Sequence, residues 1–169
     1  MGTIISLTAQ AVKLIRVTKP NTEFTSVTGT TVETVTGSIL IPRGTVTAGS
    51  LLELTARVSK TGITGTLISR IFINDTNNLV SPNVIGSTPI MGITTVGVQI
   101  QRTIDVIDTS TANVMKLITG AFIDSTSDTQ AITSLPVDWS IDQYIILTVA
   151  NGSATDSSVG ATLALKIFK

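Results

Sequence analysis

The chain has 169 residues, among them 30 Thr, 16 Ser and 22 Ile, with no Cys, no His and a formal net charge of zero from 11 basic and 11 acidic side chains. The composition therefore excludes disulfides, thiolate metal sites and imidazole bases, and a neutral chain has no long-range field to draw it to nucleic acid or an anionic bilayer. Mean hydropathy is +0.45, yet no apolar run approaches the ~20 residues of a membrane span, so the surplus apolar surface belongs in a core or between subunits, which predicts a homo-oligomer.

Residues 1–22 read as an N-terminal arm. Ile4, Ile5, Leu7, Val12, Leu14, Ile15 and Val17 are too many to leave in water, at ~1.5–3 kcal/mol each when fully buried. They predict a docking element that adds a strand to a neighbouring subunit or a partner protein. The segment breaks at Lys19-Pro20, where Pro removes a ladder donor and biases Lys19 toward extended backbone. It has neither the basic flank nor the uninterrupted apolar stretch of a secretion signal. Gly2 with Ser6 matches a myristoylation pattern short enough to arise by chance.

Residues 23–169 read as one β domain, Thr-rich at first from Thr25 to Thr36. Leu52, Leu54, Ala56 and Val58 alternate with Glu53, Thr55, Arg57 and Ser59, a strand with one wet face. The same alternation runs through Val98, Ile100, Ile104 and Val106, with Arg102 on the apolar face and in need of an Asp or carbonyl partner at an interface. Further strands are predicted at Leu67 to Ile73, Val114 to Ile118, Ile141 to Val149, and through Leu163, Leu165 and Ile167. Residues 108–117 also admit a helical turn or two. Turn signals separate these runs at Pro42-Arg43-Gly44, Lys60-Thr61-Gly62, Asn74 to Asn78, Ser81-Pro82-Asn83 and Asn151-Gly152. About eight strands without intervening helices predict an all-β, antiparallel sandwich, and a span as long as 74–97 suits the crossing connections of a jelly roll.

Few residues offer chemistry. Ser59 and Lys60 are adjacent on a strand and so face opposite ways, which is wrong for a Ser-Lys pair. Asp124, Thr126 and Asp128 present oxygens of the kind Ca²⁺ takes, but lack the Gly bend and the terminal Glu of a calcium loop, and read as a polar turn. Asp105 with Asp108, and Asp138 with Asp142, are carboxylate pairs of the sort glycosidases use, although sequence spacing does not set the ~5–9 Å separation required. Asn74-Asp75-Thr76 and Asn151-Gly152-Ser153 match the glycosylation sequon and read as turns. Trp139 and Tyr144 are the aromatics able to form a sugar platform; Trp139 reads as packing at a sandwich edge or subunit contact where its N–H finds a partner. No catalytic, metal or cofactor-binding residue is assigned, and the chain is not read as an enzyme.

Ser38-Ile39-Leu40-Ile41-Pro42 with Gly44, Ala56 to Gly62 with Gly65-Thr66, Ile71 to Leu79, and Asp142 to Thr148 with Asp156 form a pattern of strands and turns that resembles the jelly-roll domains of tailed-bacteriophage virion proteins. The likeness covers residues 36–169. It implies a structural virion protein assembled in the host cytoplasm, a trimeric head-fibre or capsid-decoration component whose arm contacts other virion proteins. The alternative it implies is a receptor- or glycan-binding module of a tail fibre or tail tip, with host-surface glycan as partner.

Overall fold

The structure, a computed structural model, describes residues 12–17, 23–117 and 130–169. Ten strands are described, and no helix: β1 (Val12–Val17), β2 (Thr34–Ile41), β3 (Leu51–Thr61), β4 (Leu67–Asn74), β5 (Asn83–Ser87), β6 (Gly97–Asp108), β7 (Thr111–Leu117), β8 (Gln130–Pro136), β9 (Gln143–Asn151) and β10 (Ser157–Phe168). They form a six-stranded sheet in the order β1-β10-β3-β6-β7-β8 and a four-stranded sheet in the order β2-β9-β4-β5. All pairs are antiparallel.

The connectivity is that of a jelly roll. Strands pair outward from the middle of the chain as β4 with β5, β3 with β6, β2 with β9 and β1 with β10. The β7–β8 hairpin is inserted between β6 and β9 and widens the larger sheet. The period-two pattern reads directly onto burial: Leu52, Leu54, Ala56 and Val58 are buried while Glu53, Arg57 and Ser59 are exposed. Facing them across the sandwich are Ile39, Ile41, Leu67, Ile71, Ile73, Ile145 and Leu147, all in one core. β-Branched side chains dominate it because they pack well on a pleated surface with little rotamer freedom to lose.

Three sequence expectations change. The span 74–97 is not one crossing connection: it holds β5, and residues 88–96 alone cross between the sheets. Residues 108–117 are the β6–β7 turn and a strand instead of helix, since Thr111, Val114 and their neighbours pair with β6 and β8. Val12, Leu14, Ile15 and Val17 lie in β1, which runs along β10 from Val12 opposite Phe168 to Val17 opposite Ala164. That part of the predicted arm is a strand of the chain's own six-stranded sheet; Ile4, Ile5 and Leu7 fall outside the described residues.

One edge of the sandwich is closed by Phe24. Its ring lies over Gly37 of β2 and Gly160 of β10, each at a register shift, and a Cβ on either glycine would overlap it. The same segment is stitched down by paired amides, Val27 N to Ser158 O at 2.8 Å and Ser158 N to Val27 O at 3.0 Å. Thr36 Oγ1 both donates to Thr25 O and accepts from Gly160 N. Gly160→Val should therefore destabilise the fold by about 1–3 kcal/mol through overpacking. The Phe24→Ala background should reduce that cost, a coupling that a double-mutant cycle in urea reads out.

Candidate functional site

The loops after β2, β4 and β8 gather at one end of the sandwich, and their polar side chains organise the loops before any ligand is considered. Asn74 is the nucleus of the β4–β5 loop: its Nδ2 donates to Asn78 O at 3.0 Å and to Val80 O at 3.2 Å, while its Oδ1 accepts from Asp75 N. Asp138 Oδ1 accepts from Ser140 N and Oγ, at 2.9 and 2.6 Å. Asp142 Oδ1 accepts from Arg43 N at 2.8 Å, tying the β8–β9 loop to the β2–β3 loop. Gln143 Nε2 donates to Asp138 O, and Asn83 Nδ2 crosses from β5 to Pro136 O, each at 2.8 Å.

Between these loops lie two adjoining hollows. One, of about 300 Å³, is lined by Arg43, Asp75, Ile141 and Asp142. The other, of about 120 Å³, includes Asn74, Asp75, Asn83, Asp138, Ile141 and Gln143. They share Asp75 and Ile141 and make one bilobed cleft, with three carboxylates set against one guanidinium. Tyr144 is half-buried on the next strand, in register with Leu40 and Asn74.

The carboxylates are not arranged as an acid–base pair. Asp138 and Asp142 each commit an oxygen to a turn, and the Ser140 hydroxyl, with its amide, holds Asp138 below its ordinary value of 3.8. A glycosidase acid needs the opposite shift. Asp105 is exposed on the outer face of the larger sheet, while Asp108 accepts from Ser110 N and Oγ at the β6–β7 turn, which lowers its pKa as well. The Asp124, Thr126 and Asp128 loop lies outside the described residues. Among the described residues no group of three or more acidic, His or Cys side chains could hold a metal ion.

Trp139 does not form a platform or find the partner expected for it. It is buried in the core, and its Nε1 has no hydrogen-bond partner among the described residues. Asp75 and Ile141, which line both lobes, had no sequence signal beyond a sequon and a strand end; only the folding of three distant loops onto one end brings them together.

Three buried charged side chains serve the scaffold. Arg102, 2% exposed, sends its Nε across the sandwich to Ile85 O at 2.5 Å. Gly86 leaves the room its stem needs, since a Cβ there would sit 3.0 Å from Arg102 Cγ. Lys60, far from acting with Ser59, turns inward to Asp156 at 2.9 Å, the two side chains 0% and 1% exposed. Lys60 Nζ also donates to Gly62 O and Ile93 O, each at 3.0 Å. Asp156 accepts from Thr64 Oγ1 at 2.6 Å, Thr64 N at 3.2 Å and Gly65 N at 2.8 Å. This clasp joins three loops at the end of the sandwich opposite the cleft.

A third hollow, a groove of about 450 Å³, runs between Ser87–Met91 and the Gly97–Gln101 stretch of β6.

No protein-family model and no curated protein matches the chain. Among solved structures it is similar to the CBM2 module of Lactobacillus casei BL23 phage J-1 evolved Dit, with a TM-score of 0.44 and 8% sequence identity over 94% of this chain and 97% of that one.

Proposed function

We propose that this protein is a non-catalytic module of a tailed-bacteriophage particle that binds saccharide on the host surface through the bilobed cleft. The observation that carries this reading is the cleft itself. Carboxylate and amide groups from three loops, prearranged by hydrogen bonds, converge on an exposed Ile141, giving a polyhydroxylated ligand both acceptors and an apolar floor. Three carboxylates against one Arg disfavour phosphorylated ligands. The phage assignment is supported by the agreement between the jelly-roll connectivity and the strand-and-turn pattern of residues 36–169.

Calorimetric titration with purified host cell-surface polysaccharides tests it. Binding should weaken at least tenfold in the Asp75→Ala/Ile141→Ala double variant, with the melting temperature unchanged, because both side chains are exposed. Failure of the wild-type protein to bind any host polysaccharide would sink the proposal.

A second reading, a trimeric head-fibre or decoration component without a ligand, is favoured by one feature: large apolar side chains stand exposed on a chain of zero net charge, Val32, Ile63, Ile90 and Val96 among them. Immunogold labelling of purified particles separates the two, since the saccharide module should lie at the tail and the decoration over the capsid.

A further inference from the structure

The larger sheet is unevenly paired. β3 covers β6 along Gly97–Asp105, but β7 covers it only from Ile104 onward. Among the described residues, Gly97–Gln101 therefore pairs on one side, and the other side is the open edge that borders the groove. An edge five residues long that no described strand pairs offers backbone donors and acceptors whose natural complement is another extended segment. The groove has an apolar side toward the core, where Val98, Ile100 and Met91 lie. Ile90 and Val96 stand beside it, 71% and 67% exposed.

The chain itself carries a matching segment. In Thr3-Ile4-Ile5-Ser6-Leu7-Thr8-Ala9, Ile5, Leu7 and Ala9 fall on one face of an extended strand, with Ile4, Ser6 and Thr8 on the other. Seven extended residues span roughly 23 Å, enough for the open edge. The segment cannot reach its own groove. Val12 is level with Phe168, Leu51 and Asp105, so a strand beside Gly97–Gln101 lies four strand spacings across, ~19 Å, and at least four residues along, ~13 Å, or ~23 Å away. The three residues from Ala9 to Val12 reach at most ~11 Å.

We propose that residues 3–9 of a second copy add a strand along the Gly97–Gln101 edge of β6, with Ile5 and Leu7 over the groove and Ser6 beside Gln99 and Gln101 on the outer face. The inference is independent of the saccharide reading and gives the neighbouring copies of a homo-oligomer a defined joint.

The absence of Cys from the natural chain allows a direct test. Ser6→Cys and Gln99→Cys (or Gln101→Cys) are made as separate full-length variants and mixed under mild oxidation. The mixture should give intermolecular disulfide in several-fold excess over either variant alone. Light scattering should give a mass above the 17.6 kDa of one chain, and deletion of residues 1–9, which leaves β1 intact, should weaken self-association at least tenfold. A monomer at tens of micromolar, unchanged association after the deletion, or no excess of mixed disulfide would each overturn the proposal. If the deletion variant does not fold by circular dichroism, the mixed disulfide decides, because it uses the whole chain.

Discussion

Replacing Asp156 by Ala is expected to lower the urea midpoint of unfolding by roughly 1–2 M, among the largest effects of any single substitution in this chain. The reason is that the clasp is fully matched. The Lys60 ammonium donates to Gly62 O, Ile93 O and Asp156, and the Asp156 carboxylate accepts from Lys60, Gly65 and both donors of Thr64. Removing the carboxylate leaves the buried Lys60 cation without its counter-charge and the buried Gly65 N–H without an acceptor, whereas the Thr64 hydroxyl keeps Thr155 Oγ1 within 2.7 Å. Lys60→Met added to Asp156→Ala should recover part of the loss, because the stranded charge disappears with it. Recovery of nothing would mean that the Gly65 donor, not the cation, sets the cost.

The clasp also fixes the acid side of the stability profile. Hydrogen bonding from the Thr64 hydroxyl, then the Lys60 ammonium, holds Asp156 far below its ordinary 3.8. Between the folded and unfolded values the unfolded chain binds the extra proton, so this contribution is complete above about pH 4 and is lost as pH falls through the folded value. Asp108 and Asp138, both shifted down by neighbouring serines, act in the same direction. The melting temperature should be flat from pH 7 to about 5 and fall below 4, and the Asp156→Ala variant should show a shallower fall.

Arg102→Ala should cost about 3–5 kcal/mol, since it strands the Ile85 carbonyl and opens a void between the sheets at once. Arg102→Met should cost less, because its unbranched chain refills the space beside Gly86. Gly86→Val should act on the same element from the other side by forcing the Arg102 stem aside. Equal losses for Met and Ala would show that hydrogen bonding, not volume, is what Arg102 contributes; chemical denaturation measures both.

The strands whose two faces differ were readable in the sequence. β3 and β6 alternate so regularly that their buried residues follow from Leu52 and Ile100 onward, with Arg102 marked in advance as the residue needing a partner. β5 was not readable, because Asn83-Val84-Ile85-Gly86-Ser87 is short, carries a Gly and follows a Pro, each a signal for a turn. β8 has the same weakness, with Thr133 and Ser134 interrupting its apolar residues and Pro136 at its end. The clasp and the cleft were invisible for a different reason. Lys60 and Asp156 are 96 positions apart, and Asp75 meets Asp142 only through the return of β9 beside β4. Local pattern reports which face of a strand is wet, not which loops share an end of the sandwich.

The pairing of the first described strand with the last has a mechanical consequence. Val12 lies opposite Phe168, so a pull applied at those two points opens the β1–β10 ladder one rung at a time, like a zipper, instead of shearing all its rungs together. Under tension β1 should peel away at low force while the nested pairs from β10 inward to β4 and β5 stay closed. Loaded between those two points, the chain would then give a short extension before the sandwich itself carries the load.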